Sequence, residues 1–276
     1  MKKNIILVFL ALIFFHKHYA QENKKSADEI AQELSNPVST LASMTFQGTY
    51  TGWDGTLENA SSQHTSTLVF MPTIPFKLKK GSISVRPSFP VAAAPTINEM
   101  GNWENKKGLG DIGVMAMYGE MNENGFIWGA GPSMFFPTAS NEYLGKGQFQ
   151  LGPVALIGVV KKWGVLGVLW QHWWGVTGVD SNNTQVNTGT AQLFYWFPAG
   201  NGWQIGGSPI PTANYVNATD TEFSIPINLG FAKTVVLGST PLKFTLQGQY
   251  YVTRPEVIGP SWGVFFQVTP VISLPW

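Results

Sequence analysis

Few residues in this chain could do chemistry, and their spacing speaks against most of it. Residues 108–113 (GLGDIG) match the G-x-G-x-x-G pattern of a dinucleotide site. That site needs a strand before the glycines and a helix after them. Here a polar stretch precedes and an alternating stretch follows, so the glycines read as easing entry into a strand. There is no Cys, which excludes disulfides, thiolate metal sites and a lipid-modified cysteine. Beyond the N-terminal apolar segment only His64 and His172 remain, with no H-x-H or H-E-x-x-H spacing, and a metal site needs clustered ligands. His172, in the aromatic run LWQHWWG, is the one base a lipolytic barrel enzyme could use. No serine and orienting partner accompany it, so the chain is expected to be no enzyme and to carry no metal or cofactor.

Two charged residues stand out by position. Arg86 lies between Val85 and Pro87, and Asp111 lies opposite the face of Ile112, Val114 and Tyr118. On neighbouring strands the two could meet, either as a selective constriction or as a structural pair filling an interior. Both readings stay open at this level. Asn59-Ala60-Ser61, Asn182-Asn183-Thr184 and Asn217-Ala218-Thr219 match glycosylation sequons and read as polar loop sequence.

The elements that hold these residues follow from periodicity. Lys2 and Lys3 precede an eleven-residue apolar run, IILVFLALIFF, too short to span a bilayer but suited to a signal peptide. Residues 1–20 are therefore expected to be removed after Ala20. Ser26, with Glu29 three positions on, makes a capping box for a helix over SADEIAQEL, ended by Asn36-Pro37. Ala27, Ile30, Ala31 and Leu34 share its apolar face. Residues 21–37 thus form a short segment ahead of the main domain, 38–276. The helix is read either as a packing element at a barrel mouth, the favoured sense, or as a plug placed by Ile30 and Leu34.

After Pro37 only period-two alternation remains. Twelve such segments fall at 42–53, 62–78, 82–97, 109–121, 126–138, 148–162, 164–178, 186–199, 203–216, 223–238, 242–254 and 261–276. Tight turns (79–81, 122–125, 162–163, 200–202, 239–240) alternate with longer polar loops (54–61, 98–108, 139–147, 179–185, 217–222, 255–260). Strict alternation with an even strand number is the plan of an outer-membrane barrel, with tight turns and both termini on the periplasmic side. Prolines 72, 87 and 153 predict irregular pairing. The expected fold is all-β: a closed antiparallel transmembrane β-barrel of about twelve strands with a short N-terminal helix. The alternative for such alternation, a secreted two-sheet sandwich, does not account for outward-facing aromatics.

Composition agrees. Charged residues are 12% of 276, against roughly 25% in soluble domains. Aromatic residues are 13%, and mean hydropathy is only +0.02. One face toward lipid and one toward a polar interior average to that value. Trp53, Trp103, Trp163, Trp203, Trp262 and Trp276 fall near strand ends, where an interfacial girdle sits. The net charge of +1 includes Lys2, Lys3 and Lys17 of the signal. Without them 14 basic residues face 16 acidic ones, a net of −2, which gives no reason to expect nucleic acid. Gln47, Lys77, Arg86, Asp111, Gln247, Gln249 and Gln267 are the candidate lumen residues, with Glu120 beside them, and the lumen face is expected to be filled by Ser, Thr, Gln, Asn and Gly.

Several motifs also carry a family likeness. They are Gly108-Leu109-Gly110-Asp111-Ile112, Gly125-Phe126-Ile127-Trp128-Gly129-Ala130-Gly131-Pro132, Pro137-Thr138-Ala139, Leu151-Gly152-Pro153, Gln171-His172-Trp173-Trp174 and Ser224-Ile225-Pro226-Ile227-Asn228-Leu229-Gly230. Leu34-Ser35-Asn36-Pro37-Val38 followed by Phe46-Gln47 adds to them. The chain resembles exported barrel proteins grouped with the MetA pathway of phenol degradation, over nearly its whole mature length. The resemblance implies a Gram-negative outer-membrane transporter for aromatic or other apolar compounds, with no catalytic residues. The sequence reading is therefore an outer-membrane channel passing small solutes by passive diffusion. The alternative is a non-conducting structural or surface-binding barrel that works through its external loops. Expected partners are outer-membrane lipid, a small-molecule solute, and the barrel-assembly machinery through a C-terminal strand ending in Trp276.

Overall fold

The computed structural model of the chain describes residues 25–177, 185–215 and 220–274. The expected signal peptide, Trp276 and the Asn182 and Asn217 sequons lie outside these residues, wholly or in part. Helix α1 (Ala27–Ser35) forms where expected, with the Ser26–Glu29 capping box made in both directions. The strands follow: β1 (Ala42–Asp54), β2 (His64–Lys77), β3 (Ser82–Ile97), β4 (Trp103–Leu109), β5 (Ile112–Met121), β6 (Phe126–Phe136), β7 (Phe149–Lys161), β8 (Gly164–Thr177), β9 (Asn187–Gly200), β10 (Trp203–Gly207), β11 (Thr212–Tyr215), β12 (Thr221–Leu237), β13 (Thr240–Thr253) and β14 (Gly259–Ile272). All their pairings are antiparallel. β1 pairs with both β2 and β14, and β12 pairs with β13, so the sheet closes on itself.

Fourteen strands make twelve staves, because two staves are broken. β4 and β5 both pair with β3 and form one, interrupted at Gly110-Asp111. β10 and β11 both lie between β9 and β12 and form the other. A single closed sheet excludes the two-sheet sandwich.

The first break corrects an expected loop. Residues 98–108 were expected to be irregular, yet 103–109 pair with the upper half of β3. The long β3 leaves backbone donors and acceptors above the wall, and folding the chain back satisfies them. The Asn98 side chain closes that hairpin by accepting the amides of Met100 and Asn102.

The second break follows from missing donors. Pro209 and Pro211 on one stave oppose Pro226 on the next, and none has an N–H to give the ladder. The segment leans inward instead. The Ser208 amide donates to Gln247 Oε1 (2.8 Å), and the Trp196 indole N–H donates to Ser208 Oγ (3.1 Å). The Tyr195 hydroxyl donates to the Asn228 carbonyl, an acceptor the broken stave no longer serves. Pairing also lapses where Pro72 would meet Pro87 and around Pro153.

Outside, the barrel carries an apolar belt that includes Leu166, Trp170, Ile205, Leu229, Leu246 and Phe266. No described helix is long and apolar enough to cross a membrane; any crossing would be made by the strands.

Candidate functional site

The interior differs from the expected uniformly polar lumen. Its two halves are chemically unlike. From β10 through β14 and on to β3 the inward positions are polar: Gln204, Asn228, Thr245, Gln247, Thr269, Thr45 and Ser84 are all buried. From β5 to β9 most are apolar: Met115, Met117, Ile127, Val154, Leu156, Val165, Leu169 and Phe194 form one buried cluster, with Ser133 and Gln150 as buried polar positions of the same staves toward the long-loop end. Trp173 and Trp196 extend that wall. Both faces of these staves are apolar, so alternation could not say which one looks inward.

The N-terminal segment sits on this interior at the tight-turn end. Asp28 accepts the Gly202 amide (2.5 Å), and Gln32 donates to the Lys161 carbonyl. Ile30 and Ala31 are buried, while Leu34 is half-buried. Ser35 lies within hydrogen-bond distance of Gln204 Oε1 (3.1 Å) and of the Lys243 ammonium (2.5 Å). Arg86 donates through Nη2 to the Pro37 carbonyl (2.6 Å). Val38 then joins the apolar cluster. Gly119 makes room for it, since a Cβ at that position would strike the Val38 side chain. A cleft of about 610 Å³ remains beside the helix, against the turn-end rims of β3, β5 and β7.

The capping box holds the Glu29 carboxyl below the usual carboxylate range, chiefly through the Ser26 backbone N–H and then its hydroxyl. A lowered native value means the contribution is complete above the ordinary range and is lost as pH falls through the lowered value. Protection of the α1 amides, measured as hydrogen exchange relative to the intrinsic rate at each pH, is therefore expected to fall on acidification from pH 6 to pH 3. Protection that does not change would contradict this role for Glu29.

The structure places the sequence candidates as follows. Gln47 and Gln267 face each other across β1 and β14 on the inner side, and Gln267 donates to Thr269 Oγ1 (2.9 Å). Gln247 is buried and pairs with Asn228 as well as Ser208. Gln249 shares the inner face of β13 with it. Lys77 takes an inner-face position at the turn end of β2 but is exposed there. Arg86 and Asp111 do not meet. Asp111 instead accepts the Ala139 (3.2 Å) and Lys146 (2.7 Å) amides, pinning loop 137–147 at the long-loop end. Glu120 lies on the outer face beside Tyr118, whose hydroxyl donates to it (3.2 Å), because the intervening Gly119 faces inward.

His172 also points outward. Its ring lies among Trp170, Trp174 and Tyr215, and Nε2 bonds with Asn187 Oδ1 (2.7 Å). None of its ring or hydrogen-bond partners among the described residues is a serine. Among the described residues no three metal-ligating side chains gather. Sequence reasoning missed Lys243 and Ser35. The available signal was parity: Lys243 is a lone cation on a face it shares with Thr245, Gln247, Gln249 and Tyr251.

Closed barrel, seated N-terminal segment and divided interior define a twelve-stranded β-barrel with an internal N-terminal segment. Comparison of the sequence with known protein families finds no match, and comparison with curated proteins finds none. A solved structure shares the fold. An outer-membrane channel of the COG4313 group from Pseudomonas putida F1 superposes with a TM-score of 0.63 at 14% identity, over 92% of this chain and 100% of that one. The β domain of the Bordetella autotransporter Brka gives a TM-score of 0.47 at 12% identity, over 84% and 98%.

Proposed function

We propose that the protein is an outer-membrane channel that passes small apolar or amphipathic solutes by passive diffusion, with its N-terminal segment as a plug. One observation carries this reading: a buried apolar wall from five neighbouring staves faces a polar wall inside a closed barrel. A barrel meant only for ions and sugars gains nothing from such a wall, because water wets it poorly. The outer apolar belt and the alternation of tight turns with longer loops support membrane insertion with the turns toward the periplasm. The likeness in fold to a solved outer-membrane channel supports the class. Export through a signal cleaved after Ala20, insertion guided by the strand ending in Trp276, and the absence of catalysis complete the proposal. So does the resemblance to the MetA-grouped barrels, which favours aromatic solutes.

The test is solute leak from liposomes holding the full mature chain. Small apolar solutes are expected to leak faster than sugars of similar size. Equal rates for both, or no leak above protein-free liposomes, would overturn the reading. The seated segment favours a second reading, a non-conducting barrel acting through its long loops. Absence of conductance both with and without residues 21–37 would select it.

A further inference from the structure

Two cations inside the barrel have no anion. Lys243 is 4% exposed, and its ammonium meets only Ser35 Oγ and the face of the Trp196 ring, 5.2 Å from the centroid. Arg86 bonds the Pro37 carbonyl, and its Nε is buried with no partner. The ion pairs among the described residues are Lys25–Glu33, Lys106–Glu104 and Arg254–Asp54; neither interior cation takes part. A buried charge without a counter-charge is strongly disfavoured.

Of the four unpartnered buried side-chain atoms among the described residues, three lie on or beside these two residues, and the fourth is Asn228 Oδ1. Ser84 is 2% exposed and lies two positions from Arg86 on the same face, and its hydroxyl has no partner. Thr234 is 1% exposed and stands directly across from Lys243, also with an unpartnered hydroxyl. Guanidinium, ammonium and two free hydroxyls all donate hydrogen bonds. Ser84 on β3 and Thr234 on β12 stand five staves apart across the ring, so each hydroxyl marks its own side of the seat. The two long cations, which meet residues 37 and 35, are the pair that fits a carboxylate, whose two oxygens accept several such bonds.

The occupant of the seat shows the rest of the shape. Ser35 Oγ and the Pro37 carbonyl are neutral oxygens on the two cations. The next side chain, Val38, lies on the apolar wall. An oxygen on the cations joined to an aliphatic group on the wall is the outline of a small carboxylic acid.

We propose that Arg86 and Lys243 form a binding station for the carboxylate of a small amphipathic monocarboxylic acid, whose apolar part lies where Val38 lies. The acid competes with residues 35–38 for the seat. This deepens the solute-passage reading and rests on it for its meaning, though not for its test.

The test is equilibrium binding to the full mature chain in detergent, with hexanoate, hexanamide and acetate as probes. Hexanoate is expected to bind about tenfold or more tighter than the uncharged amide or the short acid. Arg86→Gln and Lys243→Met should each weaken hexanoate about tenfold, and Arg86→Lys should restore part of that loss. A chain lacking residues 21–37 should bind hexanoate more tightly, because its competitor is gone. Removing an unpaired buried charge does not threaten folding, and the heat-dependent gel mobility of the folded barrel confirms it for each variant. Three probes that bind alike, or hexanoate binding that ignores both substitutions, would overturn the proposal. A barrel that binds hexanoate in this pattern yet shows no conductance either with or without residues 21–37 would refute the channel reading alone.

Discussion

Deleting residues 21–37 is expected to raise single-channel conductance in a planar bilayer severalfold. The segment is held by few bonds, each to the inner wall or the turn rim. Asp28 takes one amide, Gln32 one carbonyl, Ser35 meets Gln204 and Lys243, and Pro37 meets Arg86. None of these contributes to the barrel ladder, so the wall should close without them. The seat would then present two cations to the opening, and the open state should favour anions. Unchanged conductance after deletion would mean that another part of the interior closes the path. A deletion that prevented barrel assembly would show the segment to be structural, the packing sense of the sequence reading.

The second large effect concerns the apolar wall. Leu156 is 1% exposed and lies directly opposite Leu169 on β8, within the cluster that holds Phe194. Leu156→Asp should destabilise the barrel by about 3–5 kcal/mol, as an unpaired charge in a dry site does. Leu156→Asn should act in the same direction with a smaller effect, since a neutral amide is less costly to bury. Urea-induced unfolding in lipid vesicles measures both. The outcome also tells whether this wall is dry. In a water-filled lumen an aspartate here would be solvated, and a loss below about 1 kcal/mol would contradict the apolar-wall argument. Leu156→Met, which keeps the volume, should change stability by less than about 1.5 kcal/mol.

Much of the fold was legible in the chain, for a stated reason. Where one side of a strand is polar, period two is visible in one dimension. β1, β13 and β14 show it, and Gln47, Gln247 and Gln267 took inner positions in the structure. The helix was legible because the Ser26–Glu29 box is a local signal. The breaks were not. Pro209, Pro211 and Pro226 are visible singly, but only pairing between staves shows that they face each other and leave a seam. The β4 hairpin was hidden because Trp103–Leu109 is polar on both faces and projects beyond the wall.

The candidate site was legible only in part. Arg86 was singled out by its position on a polar face, yet its expected partner Asp111 proved to hold a loop. A neighbouring-strand argument sees two charges one stave apart. It cannot see that Pro37, 49 residues earlier in the chain, is brought to the guanidinium. Lys243 meets Ser35 across 208 residues, a contact that no spacing rule contains.

The sequence by itself therefore determined a closed barrel of about twelve staves, its turn and loop ends, and its capped leading helix. All of these follow from short-range periodicity and local hydrogen bonding. The tertiary structure alone decided which face of β5–β9 looks inward. It also decided that the lumen is half apolar and that two distant cations converge on residues 35–37. Ring closure sets these, because it fixes every stave's facing and brings staves together regardless of their separation along the chain.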